Sequence, residues 1–469
     1  MKKTRKLSKE SKYRLASVLS ILVILFTLLL SRLFYIMINK SKEYKALAQS
    51  QWTNQVKIYP KRGSILDRND FEFAISADVY RIDLDLVTLK ETLKDKNMSV
   101  DELISKLSSI LDTKSEDISN ILNRKLDNGL SATSGILKRK IEKPIADKIN
   151  DLNLRGIIVS SDTNRYYPNN NMLSQIIGHT DYDGNGISGV ELSYSSELVG
   201  TPGLRKFQVD NRDRQLYYDD SFYTNEINGK DIVLTIDQSI QLLTEEAAEK
   251  ALLDNKAKSV SITIMDPNTG EVLAMTNKPD YDLNLPLKAT TSLEAAQDLW
   301  KNSAVQNTFE PGSIFKAITA AAALEYGLVS ENDRFVCNGS IKIAGQTIYC
   351  WKRDGHGVQS FADILKNSCN IGFIELGNKI GKEKLLAFAQ KLGFGQKTGI
   401  DLPGESSGIV RQLNSIGPVE LATMSFGQGI ATTQVQYLAA FNAIANGGTL
   451  ITPHVMKDII HYEDNKYII

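Results

Sequence analysis

The feature that most constrains this chain is a long apolar stretch close to its N-terminus. Residues 15–30 are apolar apart from two serines and one threonine, and the apolar character resumes after Ser31 and Arg32 as residues 33–38. A helix over residues 15–38, with a rise of about 1.5 Å per residue, is long enough to cross about 30 Å of hydrocarbon. The stretch exceeds the apolar core of a signal peptide and no small-residue cleavage site follows it, so we predict a retained membrane anchor over residues 15–38.

The charges beside this stretch predict the orientation of the anchor. Residues 2–14 contain seven lysines or arginines and one acidic residue, Glu10. Because basic flanks stay in the cytoplasm, residues 1–14 are predicted to be a cytoplasmic tail and everything beyond residue 38 is predicted to lie outside the membrane. The 469-residue chain as a whole has 55 basic and 55 acidic residues, so we expect no nucleic-acid partner.

The segment after the anchor, residues 39–230, shows the patterns of short strands, helices and loops. Residues 55–59 and 80–86 alternate between apolar and polar side chains, as strands do. A small helical insert is predicted near residues 99–150, where Ser99 with Glu102, and Thr113 with Glu116, have the spacing of helix caps. Residues 166–230 are rich in Tyr, Asn, Asp and Gly, and His179 among them is predicted to be a hydrogen-bonded loop residue.

The pattern of strands and helices over residues 231–469 predicts a second domain of the α+β class, which begins near residue 230. A buried strand over residues 231–237 and a helix come first, and a hairpin follows in which residues 259–265 and 271–275 flank a turn. An alanine-rich run over residues 317–324 has strong helix propensity. We expect this helix to lie against the sheet that the hairpin belongs to.

A nucleophile and its base are predicted at the start of the alanine-rich helix. Pro311 and Gly312 precede the helix, so Ser313 falls in its first turn and Lys316 lies three residues later on the same face. Burial and a neighbouring cation would lower the pKa of the lysine until its neutral amine accepts the serine proton. A backbone N–H of the helix N-terminus is placed to stabilise an oxyanion.

A second polar pair, Ser368 and Asn370, can line the opposite side of the same cleft. The Ser368 hydroxyl can relay protons, and the Asn370 amide offers both a donor and an acceptor to a substrate amide. Taken by itself Ser-x-Asn is a common cap or loop fragment. Its significance comes from its combination with Ser313 and Lys316.

These motifs jointly resemble those of a known family. Ser313-x-x-Lys316 within Glu-Pro-Gly-Ser-x-Phe-Lys, followed by Ser368-x-Asn370, is similar to the penicillin-recognising serine transpeptidases. The anchor and three further segments resemble the class B high-molecular-weight penicillin-binding proteins; the segments are Arg62-Gly63-Ser64-Ile65-Leu66-Asp67-Arg68-Asn69, Gly189-Val190-Glu191 and Gly200-Thr201-Pro202-Gly203. The resemblance covers nearly everything after residue 15.

The resemblance implies a fold, a reaction and a set of partners. Residues 39–230 would form an extended pedestal of the dimerisation type, and residues 231–469 a transpeptidase domain of a helical subdomain and an antiparallel sheet. Ser313 would attack the D-alanyl-D-alanine carbonyl of a peptidoglycan stem peptide, with Lys316 as base, Ser368 as proton shuttle and Asn370 positioning the donor. β-Lactams would acylate Ser313 in the same way, and the pedestal would bind a membrane glycan polymerase.

The chain departs from this family at the third motif, Lys-Thr/Ser-Gly on a strand beside the cleft. Lys397-Thr398-Gly399 has the right letters but is flanked by turn residues, so we reject it as that motif. The motif is expected beyond residue 453, and residues 231–469 are expected to lack C-terminal sheet strands and, as they stand, activity. The alternatives are a fragment of an active transpeptidase, an inactive scaffold for cell-wall synthesis partners, or a relative acting as a β-lactam sensor or β-lactamase.

Three cysteines leave several interpretations open. Cys369 is predicted to pack inward as a small apolar residue. Cys337 and Cys350 could form a disulfide, remain free thiols, or bind a structural zinc ion together with His356 and Asp354, although the spacing fits no standard zinc finger. The transpeptidation chemistry itself is expected to require no cofactor.

Overall fold

Helices and strands are mixed along the chain, which confirms the predicted α+β class. The computed structural model describes residues 9–45, 53–126, 129–208, 222–288, 290, 292–463 and 466–468. Residues 1–8 of the predicted cytoplasmic tail lie outside the described residues. Two compact units result, one from Met1–Ile58 with Pro202–Glu226 and the other from Tyr59–Thr201 with Ile227–Ile469.

The α-helices of the described residues are numbered here in chain order. They are α1 (Lys9–Ile38), α2 (Leu86–Asp95), α3 (Val100–Leu111), α4 (Ser115–Leu122), α5 (Lys143–Asn150), α6 (Ser174–Ile177), α7 (Gly189–Ser193), α8 (Ser195–Leu198), α9 (Gln238–Asp254), α10 (Leu293–Trp300), α11 (Ser303–Gln306), α12 (Lys316–Glu325), α13 (Phe361–Lys366), α14 (Asn370–Ile380), α15 (Lys382–Lys391), α16 (Pro418–Met424) and α17 (Gln434–Ala445). Two 3₁₀ turns span Gly312–Phe315 and Leu413–Ser415.

The β-strands are numbered in the same way. They are β1 (Thr53–Ile58), β2 (Ile65–Leu66), β3 (Glu72–Asp85), β4 (Ser134–Ile141), β5 (Ile157–Tyr166), β6 (Gly203–Gln208), β7 (Phe222–Thr224), β8 (Asp231–Leu234), β9 (Val260–Met265), β10 (Val272–Lys278), β11 (Arg334–Cys337), β12 (Ser340–Ile343), β13 (Gln346–Tyr349), β14 (Gly357–Ser360), β15 (Met456–Glu463) and β16 (Lys466–Ile468).

The first unit contains the predicted anchor. Helix α1 covers the whole of residues 15–38, and its part Tyr13–Ile38 is long and apolar enough to cross a membrane. None of the apolar side chains in this part is buried, as expected for a helix surrounded by lipid. The same unit contains a three-stranded antiparallel sheet in the order β1-β6-β7.

The second unit contains a large sheet, whose strands lie in the order β16-β15-β8-β2-β3-β4. Strand β5 also pairs with β3. Helices α2 to α5 cover its β3–β4–β5 end, where apolar side chains such as Leu89, Leu103, Leu107 and Ile149 form one core. The predicted helical insert is therefore present. Ser99 caps α3 by accepting a hydrogen bond from the Glu102 amide at 3.1 Å.

The predicted second cap is wrong. Helix α4 begins after Lys114 without a side-chain cap, and the Thr113 hydroxyl instead donates to the Leu111 carbonyl at 3.1 Å. The tight left-handed turn at Asp112, with φ 47°, ends α3 and directs Thr113 back toward it. Local spacing predicted a cap, but the preceding turn decided where the hydroxyl points.

The later part of the second unit builds the support for the predicted nucleophile. Strands β9 and β10 form the predicted antiparallel hairpin, with Val272 opposite Met265 and Lys278 opposite Val260. The predicted packing of helix α12 against the sheet of this hairpin is wrong, because other helices cover its apolar side chains. Helix α12 lies in a separate apolar core with members from helices, strands and loops, including Phe315, Ile318, Phe335, Phe373, Ile374 and Phe394. Ala320, Ala322 and Ala323 lie on the buried part of α12, where small side chains suit the close approach of its neighbours.

A buried ion triad ties the pedestal segments together. The Glu191 carboxylate, which is 0% exposed, accepts hydrogen bonds from Arg62 Nε and from Arg165 Nε, both at 2.6 Å. The Tyr167 hydroxyl donates to the same carboxylate at 3.3 Å. Two of the sequence segments that suggested a family, the Arg62 segment and Gly189-Val190-Glu191, therefore meet at one point.

His179 lies nearby in a buried aromatic setting. Its Nδ1 is 3.2 Å from the Tyr281 hydroxyl, and its ring packs edge-on against Trp300 with centroids 4.4 Å apart. Burial lowers the pKa of His179 to about 4, so the ring is neutral at pH 7. This matches the predicted hydrogen-bonded residue, although the side chain is buried and not on an open loop.

Replacing the buried carboxylate should destabilise the protein strongly. Glu191→Gln leaves two buried guanidinium groups without a counter-charge, and we expect a loss of about 3–5 kcal/mol in the free energy of unfolding. Urea unfolding followed by fluorescence measures it. The matched control is Asp78→Asn, which breaks the exposed Lys61–Asp78 pair and should cost less than about 1 kcal/mol. Equal losses in the two variants would contradict the structural role of the triad.

Candidate active site

Ser313 lies in a tight turn that leads directly into α12. Gly312 adopts φ 56°, a conformation that suits glycine, and opens the 3₁₀ turn Gly312–Phe315. Phe315 is fully buried in the core around α12, whereas Ser313 is exposed. The turn therefore anchors one side chain inward and presents the Ser313 hydroxyl outward, at a helix start where backbone N–H groups lack intrahelical partners.

Lys316 occupies the first residue of α12 and is 1% exposed. Its Nζ lies 3.3 Å from Ser313 Oγ, 3.0 Å from Ser368 Oγ, 2.8 Å from the Ser368 carbonyl oxygen and 2.7 Å from Asn370 Oδ1. The structure thus brings together all four predicted catalytic residues. Among the described residues none of the partners of this amine is a carboxylate.

The partners of Lys316 suit a neutral amine. A neutral amine has two N–H donors and one lone pair, and two of its partners, the Ser368 carbonyl and Asn370 Oδ1, can only accept. The lone pair is then left facing hydroxyls, which can donate. Burial lowers the pKa of Lys316 to about 8, well below the usual lysine value of about 10.4.

Ser368 and Asn370 are placed by the turn between α13 and α14. Ser368 adopts φ 48°, a left-handed conformation that costs a non-glycine residue about 1–3 kcal/mol and is concentrated at functional sites. Asn370 is the first residue of α14, and its Nδ2 donates to the Tyr349 carbonyl at 3.3 Å. The Asn370 amide is therefore fixed at both ends, by Lys316 and by the β13 segment.

Sequence reasoning missed the residues that hold the nucleophile turn from behind. The Gly427 carbonyl accepts the Gly312 N–H at 2.8 Å, and the Tyr437 hydroxyl donates to the Ile314 carbonyl at 2.9 Å. Gly427 adopts φ 84°, and a Cβ atom there would lie 2.1 Å from the Gly312 carbonyl oxygen. The Gly427-Gln428-Gly429 pattern indicates a turn, but nothing local to it points to Ser313.

The segment rejected as a third motif lies in a loop. The Thr398 amide and hydroxyl both donate to Glu405 Oε1 at 2.6 Å, and the Gly399 amide donates to Glu405 Oε2 at 3.1 Å. Lys397-Thr398-Gly399 is not part of a strand. The polar groups of Thr398 and Gly399 bond to Glu405 and close a local turn. The segment therefore presents no strand edge to which a substrate could pair.

A cluster of buried thiols adjoins the catalytic residues. Cys337, Cys350 and Cys369 are free and buried, and with His356 they bring one possible ligand atom each to within 4.8 Å of one another. Asp354, the fourth member of the predicted zinc set, is not part of this cluster, and Cys369 takes its place. The prediction of Cys369 as a buried residue is correct, but its sulfur faces the other two.

Family models match both halves of the chain. Residues 57–234 match the penicillin-binding protein dimerisation domain, and residues 260–468 match the penicillin-binding protein transpeptidase domain. Between them the two models cover the segments that resemble a pedestal and all four predicted catalytic residues.

Individual relatives and solved structures agree with these models. The chain is 35% identical over 448 residues to stage V sporulation protein D of Bacillus subtilis, covering 95% of this chain and 67% of the relative. It is 31% identical to the probable peptidoglycan D,D-transpeptidase PenA of Neisseria gonorrhoeae, covering 93% and 72%. The crystal structure of penicillin-binding protein 2X from Streptococcus thermophilus superposes with a TM-score of 0.67 at 27% identity, covering 87% and 61%.

The buried amine predicts a pH dependence for acylation of Ser313. Only neutral Lys316 can accept the serine proton, so the acylation rate with a fluorescent penicillin should rise with pH and level off above about pH 8. Well below that value it should fall about tenfold per pH unit. Lys316→Arg, which keeps a cation that does not deprotonate, should lose acylation at every pH. A flat rate between pH 6 and pH 9 would contradict the assignment of Lys316 as base.

Crowding the back of the nucleophile turn should slow acylation. Gly427→Ala places a methyl group against the Gly312 carbonyl and should lower the acylation rate at least tenfold by displacing Ser313. Gly447→Ala is the matched control, because Gly447 has a similar φ of 89° but open space around it. Both variants have the same backbone strain, so an equal loss of acylation would assign the effect to strain and not to contact with the nucleophile turn.

Proposed function

Because the chain belongs to the class B penicillin-binding proteins, we propose that it cross-links peptidoglycan as a serine D,D-transpeptidase, with the acyl-enzyme on Ser313. The observation that supports this most is the Lys316 amine, which contacts Ser313, Ser368 and Asn370 from a buried position. A hydroxyl nucleophile beside a desolvated amine is the arrangement that acyl transfer needs.

In the first half-reaction Ser313 Oγ attacks the carbonyl between the two terminal D-alanines of a donor stem peptide. Lys316 accepts the hydroxyl proton, and the carbonyl becomes a tetrahedral oxyanion close to the backbone N–H groups of the Ser313 turn. The carbon–nitrogen bond then breaks. The proton passes from Lys316, by way of the Ser368 hydroxyl 3.0 Å away, to the departing D-alanine amine.

In the second half-reaction an amine of a neighbouring stem peptide attacks the ester on Ser313. The same Lys316 accepts a proton from the attacking amine and returns one to Ser313 Oγ as the ester bond breaks. A new amide joins the two stems and the enzyme is regenerated. Asn370 contributes its amide group to holding the donor chain, since Nδ2 has a second N–H beyond the one given to Tyr349, and Oδ1 has a second lone pair beyond the one facing Lys316.

β-Lactams acylate Ser313 by the same first step, because their strained amide presents a carbonyl to the Ser313 hydroxyl. Ring opening leaves the nitrogen attached to the acyl group, so no leaving group departs and the ester persists. No cofactor takes part in either half-reaction. A structural zinc ion bound by Cys337, Cys350 and His356, as the sequence allows, would lie outside the path of acyl transfer.

The anchor indicates on which side of the membrane this reaction takes place. Among the described residues one helix, near the N-terminus, is long and apolar enough to cross a membrane, which fits a single-pass membrane protein. Its basic flank would keep the N-terminus cytoplasmic and the transpeptidase domain, residues 231–469, on the outer side where peptidoglycan lies. Residues 39–230 would be the pedestal, with a membrane glycan polymerase as the partner that supplies new glycan strands.

Labelling by a fluorescent penicillin tests the proposal on the protein as its host makes it. We expect a stable adduct, located on Ser313 by peptide mapping, and none with Ser313→Ala. Ser330→Ala, a change at an exposed serine, is the control and should label normally. An absence of labelling in the natural protein would favour an inactive scaffold. A label that is released as hydrolysed β-lactam would favour a β-lactamase.

A further inference from the structure

The thiol cluster gathers soft ligands in a place that excludes water. Cys337 ends β11, Cys350 follows β13, His356 precedes β14, and Cys369 caps α14. Cys337 and Cys350 are each 1% exposed and Cys369 is 0% exposed. Apolar packing would need one small residue at each position, but it would not need three sulfur atoms and an imidazole directed at one another.

The distances in the cluster fit a tetrahedral ion. Zinc binds thiolate sulfur at about 2.3 Å and imidazole nitrogen at about 2.0–2.1 Å, so tetrahedral ligand atoms lie about 3.5–3.8 Å apart. Cys350 Sγ and His356 Nδ1 are 3.7 Å apart, and all four ligand atoms lie within 4.8 Å of one another. A contraction of about 1 Å at the widest pair completes the geometry.

One sulfur atom of the cluster accepts a hydrogen bond from the backbone. The Gly372 N–H donates to Cys369 Sγ at 3.4 Å. Hydrogen bonds of this kind orient the ligands of a metal site. His356 Nε2 is buried and has no hydrogen-bond partner among the described residues, so no hydrogen bond at this nitrogen explains the position of the ring.

We propose that Cys337, Cys350, His356 and Cys369 bind one structural Zn²⁺ ion, which holds the Ser368–Asn370 turn in its catalytic position. Three thiolates and one imidazole are a standard closed zinc set, whereas Ca²⁺ and Mg²⁺ require oxygen ligands. Four protein ligands leave no open position, so the ion does not take part in acyl transfer.

The link from the metal to the active site is short. Cys369 lies between Ser368, which is held at φ 48°, and Asn370. The residue before Cys350 is Tyr349, whose carbonyl accepts the Asn370 Nδ2 at 3.3 Å. An ion that joins Cys350 to Cys369 therefore fixes both sides of Asn370 and the strained Ser368, which together supply three of the four contacts of Lys316. This positioning role rests on the proposed function, but zinc binding does not.

Metal analysis of the full chain tests binding directly. We expect about one zinc per chain by mass spectrometry after purification without chelator. Cobalt in place of zinc should give the thiolate charge-transfer band and the intense visible bands of a tetrahedral site. Three titratable thiols in metal-free protein that does not take up added zinc, or a Cys337–Cys350 disulfide in the natural protein, would overturn the proposal.

Substitutions separate the ligands from their neighbours. Cys337→Ser and His356→Ala should weaken zinc affinity at least tenfold, measured by competition with a chromogenic chelator. Asp354→Asn is the matched control, because Asp354 lies in the same loop but outside the cluster, and it should retain zinc. Ser313→Ala should also retain zinc, so a failure of the catalytic proposal does not imply a failure of the zinc site. Zinc retained by both ligand variants would overturn the proposal.

Chelation of the unmodified protein tests the positioning role without any risk of misfolding by substitution. Removal of zinc should lower the rate of Ser313 acylation by a fluorescent penicillin at least tenfold, and added zinc should restore it. Circular dichroism before and after chelation should show that the fold persists. Unchanged acylation after complete loss of zinc would overturn the positioning role.

Discussion

The burial of the Lys316 amine is the constraint on which the rest of the active site depends. An ammonium group removed from water is costly unless a counter-charge accompanies it, and the described residues around Lys316 offer only uncharged oxygen atoms. Burial therefore lowers the pKa of Lys316 to about 8 and makes the neutral amine, the form that can act as a base, easier to reach. The apolar core around α12 is what keeps water from the group, so packing and chemistry are coupled at one residue.

The buried Glu191 carboxylate in the predicted pedestal, unlike the Lys316 amine, has partners of opposite charge. Glu191 is as deeply buried as Lys316, but two guanidinium groups face its two oxygen atoms at 2.6 Å. The triad contributes orientation because each guanidinium contacts a different oxygen of the carboxylate. The buried carboxylate has charged partners and serves the fold, whereas the buried amine has none, so that it loses its proton more readily and serves the proposed reaction.

Much of the fold and part of the site could be predicted because the signals are local. The apolar run of α1, the Ser99 cap of α3 and the β9–β10 hairpin each depend on neighbours a few residues away. The sequence also contains a single Ser-x-x-Lys, and helix geometry makes that pair meet. The Arg62–Glu191 contact spans 129 residues and could not be predicted from spacing. The zinc ligand set predicted from the sequence contains Asp354 and not Cys369, because Asp354 is close to His356 in the sequence. Proximity in sequence is a poor guide to which side chains share a cavity, and the structure places Cys369 in the cluster.

The sequence by itself determined which chemical groups are available and which short elements they stand on: the anchor, the helix start with Ser313 and Lys316, and the Ser368–Asn370 pair. The tertiary structure decided that the amine of one element faces the hydroxyl and amide of another, that Gly427 closes the back of the nucleophile turn, and that three thiols from separate segments converge. The physical reason is that pKa values, strained turns and ligand sets depend on burial and on contacts between distant segments, which local propensities do not specify.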